Sequence, residues 1–388
     1  MFSIPKRGQV GPSFLAGIDH WLWRTGRFFR DCAAGALAPL VVSTEWRRRR
    51  LLIIGYHGVS VEDEHIWDGT LYMPAEMFRR RLNILRESKC TVLPLTVALH
   101  HLKEGTLPPR AVALAFDDGF QDFASLVSPL LAEFGYPATI FVSSYYVQFN
   151  RPIFDVMLYY LLWKGAAKTL ELPGVLEEPI KLDSVGQLEA RRRIRKFAFE
   201  SGLSGWGKDK LLARLAETLS IDYEQLCRKR ILHMMNADEI RRMHSAGHDI
   251  QLHTHRHRVS RRRELFEREI RDNRKWIEQM IGGKERVHLS YPGGVCEPVE
   301  REWMTGLGLE TGTTCRPALA DANCDKLRLP RFMDNAHVPE RVFRSWVSGS
   351  MAFVPLGRQA HTEGQILEDT MRVSREEESA AMEARAQF

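Results

Sequence analysis

Residues 111–120 read AVALAFDDGF. An apolar run ends in two adjacent carboxylates, Asp117 and Asp118, and then Gly119. A short apolar run bounded by a turn signal reads as a buried strand. Neighbouring strand residues point to opposite faces. The two aspartates therefore meet different surroundings. Either they solvate a turn, or they divide two tasks.

Working outward from this strand, the chain alternates strand and helix. LLIIGYHGV, starting at Leu51, is strand-like, and Phe78, Leu82 and Leu85 fall at helical spacing. After AVALAF come a helix around FASLVSPLLAEF and the strand PATIFVSS. The rhythm then breaks. Residues 152–233 carry helical patterns (FDVMLYYLLW, EARRRIRKFAF, KDKLLARLAETL) and read as an insertion between two strands. It resumes with NADEIRRMHSAG, a helix with a capping-box pattern at Asn236 and Glu239 and a stop at Gly247. The strand HDIQLHT, the helix ELFEREIRDNRKWIEQMI, the strand RVHLSYP, the helix EPVEREWMTGLG and the strands LETGTTC and LRLPRF follow. Repeated β–α units imply an α/β protein with parallel strands and helices outside.

The ends differ from this core. Residues 1–50 form a basic, aromatic-rich extension, with Trp21, Trp23, Arg24, Arg27 and Phe28 among its residues. Between Phe14 and Phe29 the pattern suits a helix lying at a membrane interface or capping the core. Residues 351–388 form a charged tail. The chain of 388 residues carries a net charge of +6, concentrated in blocks at Arg47–Arg50 and Arg191–Arg195. Such runs read first as solvated faces. No nucleic-acid-binding motif accompanies them, so no nucleic-acid partner is expected. The six cysteines form no CxxC pair, which excludes zinc-ribbon and thioredoxin-like readings. Scattered thiols suit a reducing compartment. MFSIPKRGQVGPSF lacks the apolar core of a secretory signal, and no run of about 18 apolar residues predicts a spanning helix. The expected setting is the cytoplasm or the inner face of a membrane.

A second signal lies in HDIQLHTHRHRVS, where His253, His255 and His257 fall at the end of another predicted strand. Two imidazoles four residues apart, where strand gives way to loop, can converge on one ion. One carboxylate from a neighbouring strand end completes a site for zinc or a similar divalent metal, with open positions for water and substrate. One aspartate of the pair then binds the metal, and the other stands beside the bound water as general base. Active sites of parallel barrels gather at the carboxyl ends of the strands.

These residues resemble the polysaccharide deacetylases, the NodB-homology or carbohydrate esterase family 4 group. AFDDGFQD looks like the family's first motif and HTHRH like its second. YHGV, PATIFV, MNADEIRRMHSAGHDI, SYPGG and LRLPRF extend the likeness over about residues 51–150 and 232–350. The resemblance implies a distorted (β/α) barrel over residues 51–350, interrupted by the helical insertion at 152–233. It implies that Asp117 is the catalytic base and that Asp118, His253 and His257 hold a divalent ion, zinc first. His255 falls on a variable position and takes no ligand role.

Two family features are missing. Tyr291-Pro292-Gly293-Gly294 keeps the third motif's proline without the arginine before it or the aromatic after it, and no Leu-His fifth motif supplies an acid. Arg331, in LPRF, is the expected substitute that orients the base. His57, in YHGV, is the expected general acid, with His337 as the alternative. The activity implied is hydrolysis of an N-acetyl group from an amino sugar of a polysaccharide or glycoconjugate. Release of a formyl group from a lipid-linked amino sugar, and a non-catalytic saccharide-binding relative, are the alternatives. The intact Asp117, Asp118, His253 and His257 favour an enzyme, because a binder needs no base beside a metal.

Overall fold

Along AVALAF, side chains alternate between two separate apolar environments. Val112, Leu114 and Phe116 join the large core beneath the outer helices. Ala111, Ala113 and Ala115 face a second cluster with Leu51, Ile53, Phe141 and Leu329. Two buried faces are what a parallel sheet covered by helices on one side and curled on itself requires. Small alanines face the inside, where room is scarce.

The computed structural model describes residues 30–354, apart from 148–149, 261, 284–285, 295 and 297–299. Its main sheet has eight parallel strands. They are β1 (Leu52–Tyr56), β2 (Thr91–Val92), β3 (Ala111–Phe116), β4 (Thr139–Val142), β5 (Asp249–Leu252), β6 (His288–Ser290), β7 (Thr311–Thr313) and β8 (Phe332–Met333). The order is β7-β6-β5-β4-β3-β1-β8, with β2 also paired to β3. The register sets Ile54 opposite both Leu114 and Phe332. The stretch leading into β8 touches the far edge as well: Leu329 bridges Thr313 in parallel. One extended segment, 329–333, thus meets both edges of the curled sheet.

Helix Leu95–Glu104 contributes Leu95, Ala98 and Leu102 to the inner cluster, and Leu95 N donates to Thr139 Oγ1 at 3.0 Å. Thr139 opens β4, so this helix covers the amino-terminal end of the barrel and leaves the carboxyl end as the mouth. The helix Ala237–Ser245 starts on the expected capping box, with Asn236 and Glu239 bonding each other's backbone N–H.

The insertion holds helices Phe154–Lys164, Ser184–Glu200, Gly205–Thr218 and Tyr223–Arg228. The sequence pattern missed its small antiparallel pair, Thr169–Leu170 with Ile180–Lys181. Its exit, at Met234, bridges Phe120 of the double-aspartate motif.

The solvated-face reading of Arg47–Arg50 fails at Arg47. Its guanidinium is fully buried and donates to the carbonyls of Val347, Arg50 and Ala111. A run of like charges did not reveal that one member caps backbone ends. The interfacial helix expected at Phe14–Phe29, and the tail from residue 355, lie outside the described residues. Among those described, no helix is long and apolar enough to cross a membrane.

Candidate active site at the barrel mouth

Asp117 continues the inward set of Ala111, Ala113 and Ala115 by one more step of two. Its N–H still bonds the strand neighbour, donating to Tyr56 O at 2.9 Å. Its carboxylate is buried and meets Arg331 head on. Arg331 Nη1 donates to Oδ1 and Nη2 to Oδ2, both at 2.8 Å. This paired geometry fixes the plane of the carboxylate. Arg331 is itself fully buried, and its Nε donates to Thr314 O at 3.1 Å. Burial pushes the Asp117 carboxyl up, but the charge of Arg331 outweighs it and holds the group below the usual range.

Asp118 leaves the strand pattern. Its φ of 68° is left-handed, and Gly119 follows at 87°. The turn carries the Asp118 side chain toward β5. There His253 and His257 present Nε2 atoms, each 3.1 Å from Asp118 Oδ1. Thr254 and His257 also have positive φ, 60° and 55°. Non-glycine residues in this region carry strain that surrounding structure must hold, and such strain gathers at functional sites.

The donor set fits a metal ion. His253 Nδ1 lies 2.7 Å from Ser290 O, a pure acceptor. Nδ1 therefore carries a hydrogen, which leaves Nε2 as the ring atom directed at Asp118. Asp118 Oδ1 is buried, and among the described residues it has no hydrogen-bond partner beyond the two facing Nε2 atoms. Two imidazole Nε2 atoms and one carboxylate oxygen facing one point form a donor set that suits a divalent cation. Ligand atoms around tetrahedral zinc sit about 3.3 Å apart, given bonds of about 2.0–2.1 Å. The three ligand atoms here lie within 4.8 Å of one another. Burial pushes the Asp118 carboxyl up, yet the imidazoles hold it well below the usual range.

The sequence reading missed Asn273, which braces this cluster. Its Oδ1 accepts from His253 N at 3.0 Å, and its Nδ2 donates to Val142 O at 2.9 Å and Ser144 Oγ at 2.8 Å. One side chain thus ties the ends of β4 and β5 together. The signal was present: Asn273 lies on the buried stripe of Phe266, Ile270 and Ile277. A polar residue on an apolar stripe needs a buried partner.

The other histidines separate. His255 turns away from the cluster, with Nδ1 2.9 Å from Ser144 Oγ. His57 follows β1 on the inward face, after Ile53 and Gly55. It is half-buried, and its charge reaches Asp117. It makes no side-chain hydrogen bond among the described residues. His337 is exposed and packs over Gly69. In the Tyr291–Gly294 stretch, Tyr291 is buried and donates to Leu327 O at 2.8 Å. Gly294 has a φ of 72°, and a Cβ there would lie 2.4 Å from Cys315 Sγ.

Residues 220–312 match a family model described as polysaccharide deacetylase. The matched segment includes His253, His257 and the Tyr291–Gly294 stretch, and ends before Arg331. No curated protein matches the chain. Among solved structures, a Streptococcus pyogenes deacetylase, PplD, in complex with acetate is 15% identical, with a TM-score of 0.51 over 78% of this chain and 98% of that one. A de-N-acetylase from Aggregatibacter actinomycetemcomitans is 14% identical, with a TM-score of 0.48 over 76% of this chain and 99% of that one. IcaB from Ammonifex degensii is 16% identical, with a TM-score of 0.47 over 78% and 97%. At such identities the likeness to PplD speaks for the fold alone. It is the deacetylase type of (β/α) barrel, as the resemblance implied. Over residues 220–312 the chain is thus similar to the polysaccharide deacetylases, and its fold is one that a deacetylase shares.

Proposed function

We propose that this protein is a divalent-metal hydrolase that removes an N-acetyl group from an amino sugar of a polysaccharide or glycoconjugate. One observation carries the reading: the adjacent aspartates are held by different partners. Asp118 faces two imidazoles, while Asp117 is bonded by both terminal nitrogens of Arg331. A metal bound by Asp118, His253 and His257 would supply an acidified water and charge stabilisation for the amide oxygen. Zinc suits two imidazoles and one carboxylate. Asp117, ionised and oriented by Arg331, accepts the proton of the attacking water. His57, on the same mouth, gives a proton to the departing amine.

The test is acetate release from N-acetylglucosamine oligomers by the full chain, before and after chelation. Release that stops with chelator and returns with added zinc is the expected result. Release that persists without metal, or binding without any release, overturns the proposal. The same reading keeps residues 1–29 at a membrane surface, on their aromatic and arginine content, whereas Ala34 and Arg47 belong to the packed core. Deleting residues 1–29 should leave release from soluble oligomers intact and reduce sedimentation with anionic vesicles; equal sedimentation overturns that part.

A further inference from the structure

His57 sits in a short connector whose flanks are tied down on both sides. Before it, Tyr56 O accepts from Asp117 N at 2.9 Å. After it, Gly58 N donates to Leu71 O at 3.0 Å and Ser60 N to Met73 O at 2.9 Å. These last two belong to a small parallel pair, Gly58–Val59 with Tyr72–Met73. Gly58 is required there, because a Cβ would lie 2.3 Å from the Tyr72 ring. In such a ladder alternate residues bond the same neighbour. The Val59 N–H therefore points the other way, toward the double-aspartate motif. A buried N–H needs an acceptor. Asp122 supplies it: Oδ2 accepts from Val59 N at 2.7 Å.

Asp122 lies four residues beyond Asp118, at the head of the π-helical turn Phe123–Val127. It is 5% exposed and makes no ion pair among the described residues. Burial pushes its carboxyl up to about 8, so near neutral pH it is largely uncharged. A charge is not what the site uses; an acceptor in the right place is. The motif that carries the base and a metal ligand thus also grips the backbone two residues past His57.

We infer that Asp122 is a positioning residue that holds the His57 segment against the base and the metal ligands. The inference rests on the proposed acid role of His57. It predicts an effect on one step only. Expelling an amine needs a proton, whereas an activated phenolate leaves without one. A misplacement of about 1 Å can cost about 10²-fold in rate.

The experiment uses the zinc-loaded full chain, with an N-acetylglucosamine oligomer as amide and 4-nitrophenyl acetate as activated ester. Asp122→Ala should lower kcat on the amide by about tenfold to 10²-fold, with ester turnover and zinc content held. Asp122→Asn keeps an acceptor for Val59 N and should retain most amide turnover. In a His57→Ala background, Asp122→Ala should cost nothing further, because it acts through that side chain. Equal losses on amide and ester, an Asn variant as poor as the Ala variant, or full additivity with His57→Ala overturns the positioning role alone. Undiminished amide turnover in His57→Ala by itself overturns the acid role, and positioning with it. Should Asp122→Ala fail to fold, Asp122→Ser takes its place under the same criteria.

Discussion

His253→Ala should abolish metal binding while His255→Ala, two residues away in the same cluster, leaves it intact. The two rings differ in what they face. His253 Nε2 meets Asp118 Oδ1 at 3.1 Å, and its Nδ1 is pinned to Ser290 O. His255 uses Nδ1 on Ser144 Oγ and takes no part in the triad. Removing His253 leaves one imidazole and one carboxylate, too few to hold zinc against water in a site built for three protein ligands. Asn273→Ala should sit between these extremes, because it frees the His253 backbone rather than its ring. Loss of such supporting bonds typically costs about 10–100-fold in metal affinity. Elemental analysis after dialysis reads all three. Full occupancy in His253→Ala, or loss in His255→Ala, would reverse the assignment of the cluster.

Much of this site was legible in the sequence, and the reason is geometric. A period of two along AVALAFDD is enough to send Asp117 and Asp118 to opposite faces. A strand ending in HTHRH, in a chain of β–α units, reaches the same mouth because all strands run parallel. What alternation could not show is the left-handed turn at Asp118, which redirects its side chain toward β5. A period-two pattern holds only while the strand lasts.

The contacts that brace the site were harder to read because they join distant positions. Arg331 and Asp117 are separated by 214 residues. Their meeting depends on the segment 329–333 touching both edges of the curled sheet, a feature of closure with no local signal. Asn273 reads as one polar residue in a charged helix until the buried stripe is traced. Arg47 was misread because its block shares one charge while its members have different burial. Short strands such as Thr169–Leu170 carry too few residues to show any period.

Asp117→Asn should keep the metal and lose turnover by about 10²–10⁴-fold, the usual worth of a general base. The amide is nearly the same size, so the mouth keeps its shape, but it takes no proton from water. The substitution has a second consequence. Arg331 is fully buried and bonds Asp117 through both terminal nitrogens. Without the carboxylate its charge is uncompensated, and breaking a buried pair from one side costs about 3–5 kcal/mol. Lost rate could then be mistaken for lost fold. Asp117→Asn combined with Arg331→Met separates the two. Removing both charges should recover much of the lost stability, since a buried pair replaced by apolar volume is often neutral. It should recover none of the turnover. Thermal denaturation, elemental analysis and acetate release, run on the single and double variants, make the comparison. Activity that returns with stability would show that Asp117 only holds Arg331 in place. Metal lost from Asp117→Asn but kept in Asp118→Asn would exchange the roles of the two carboxylates.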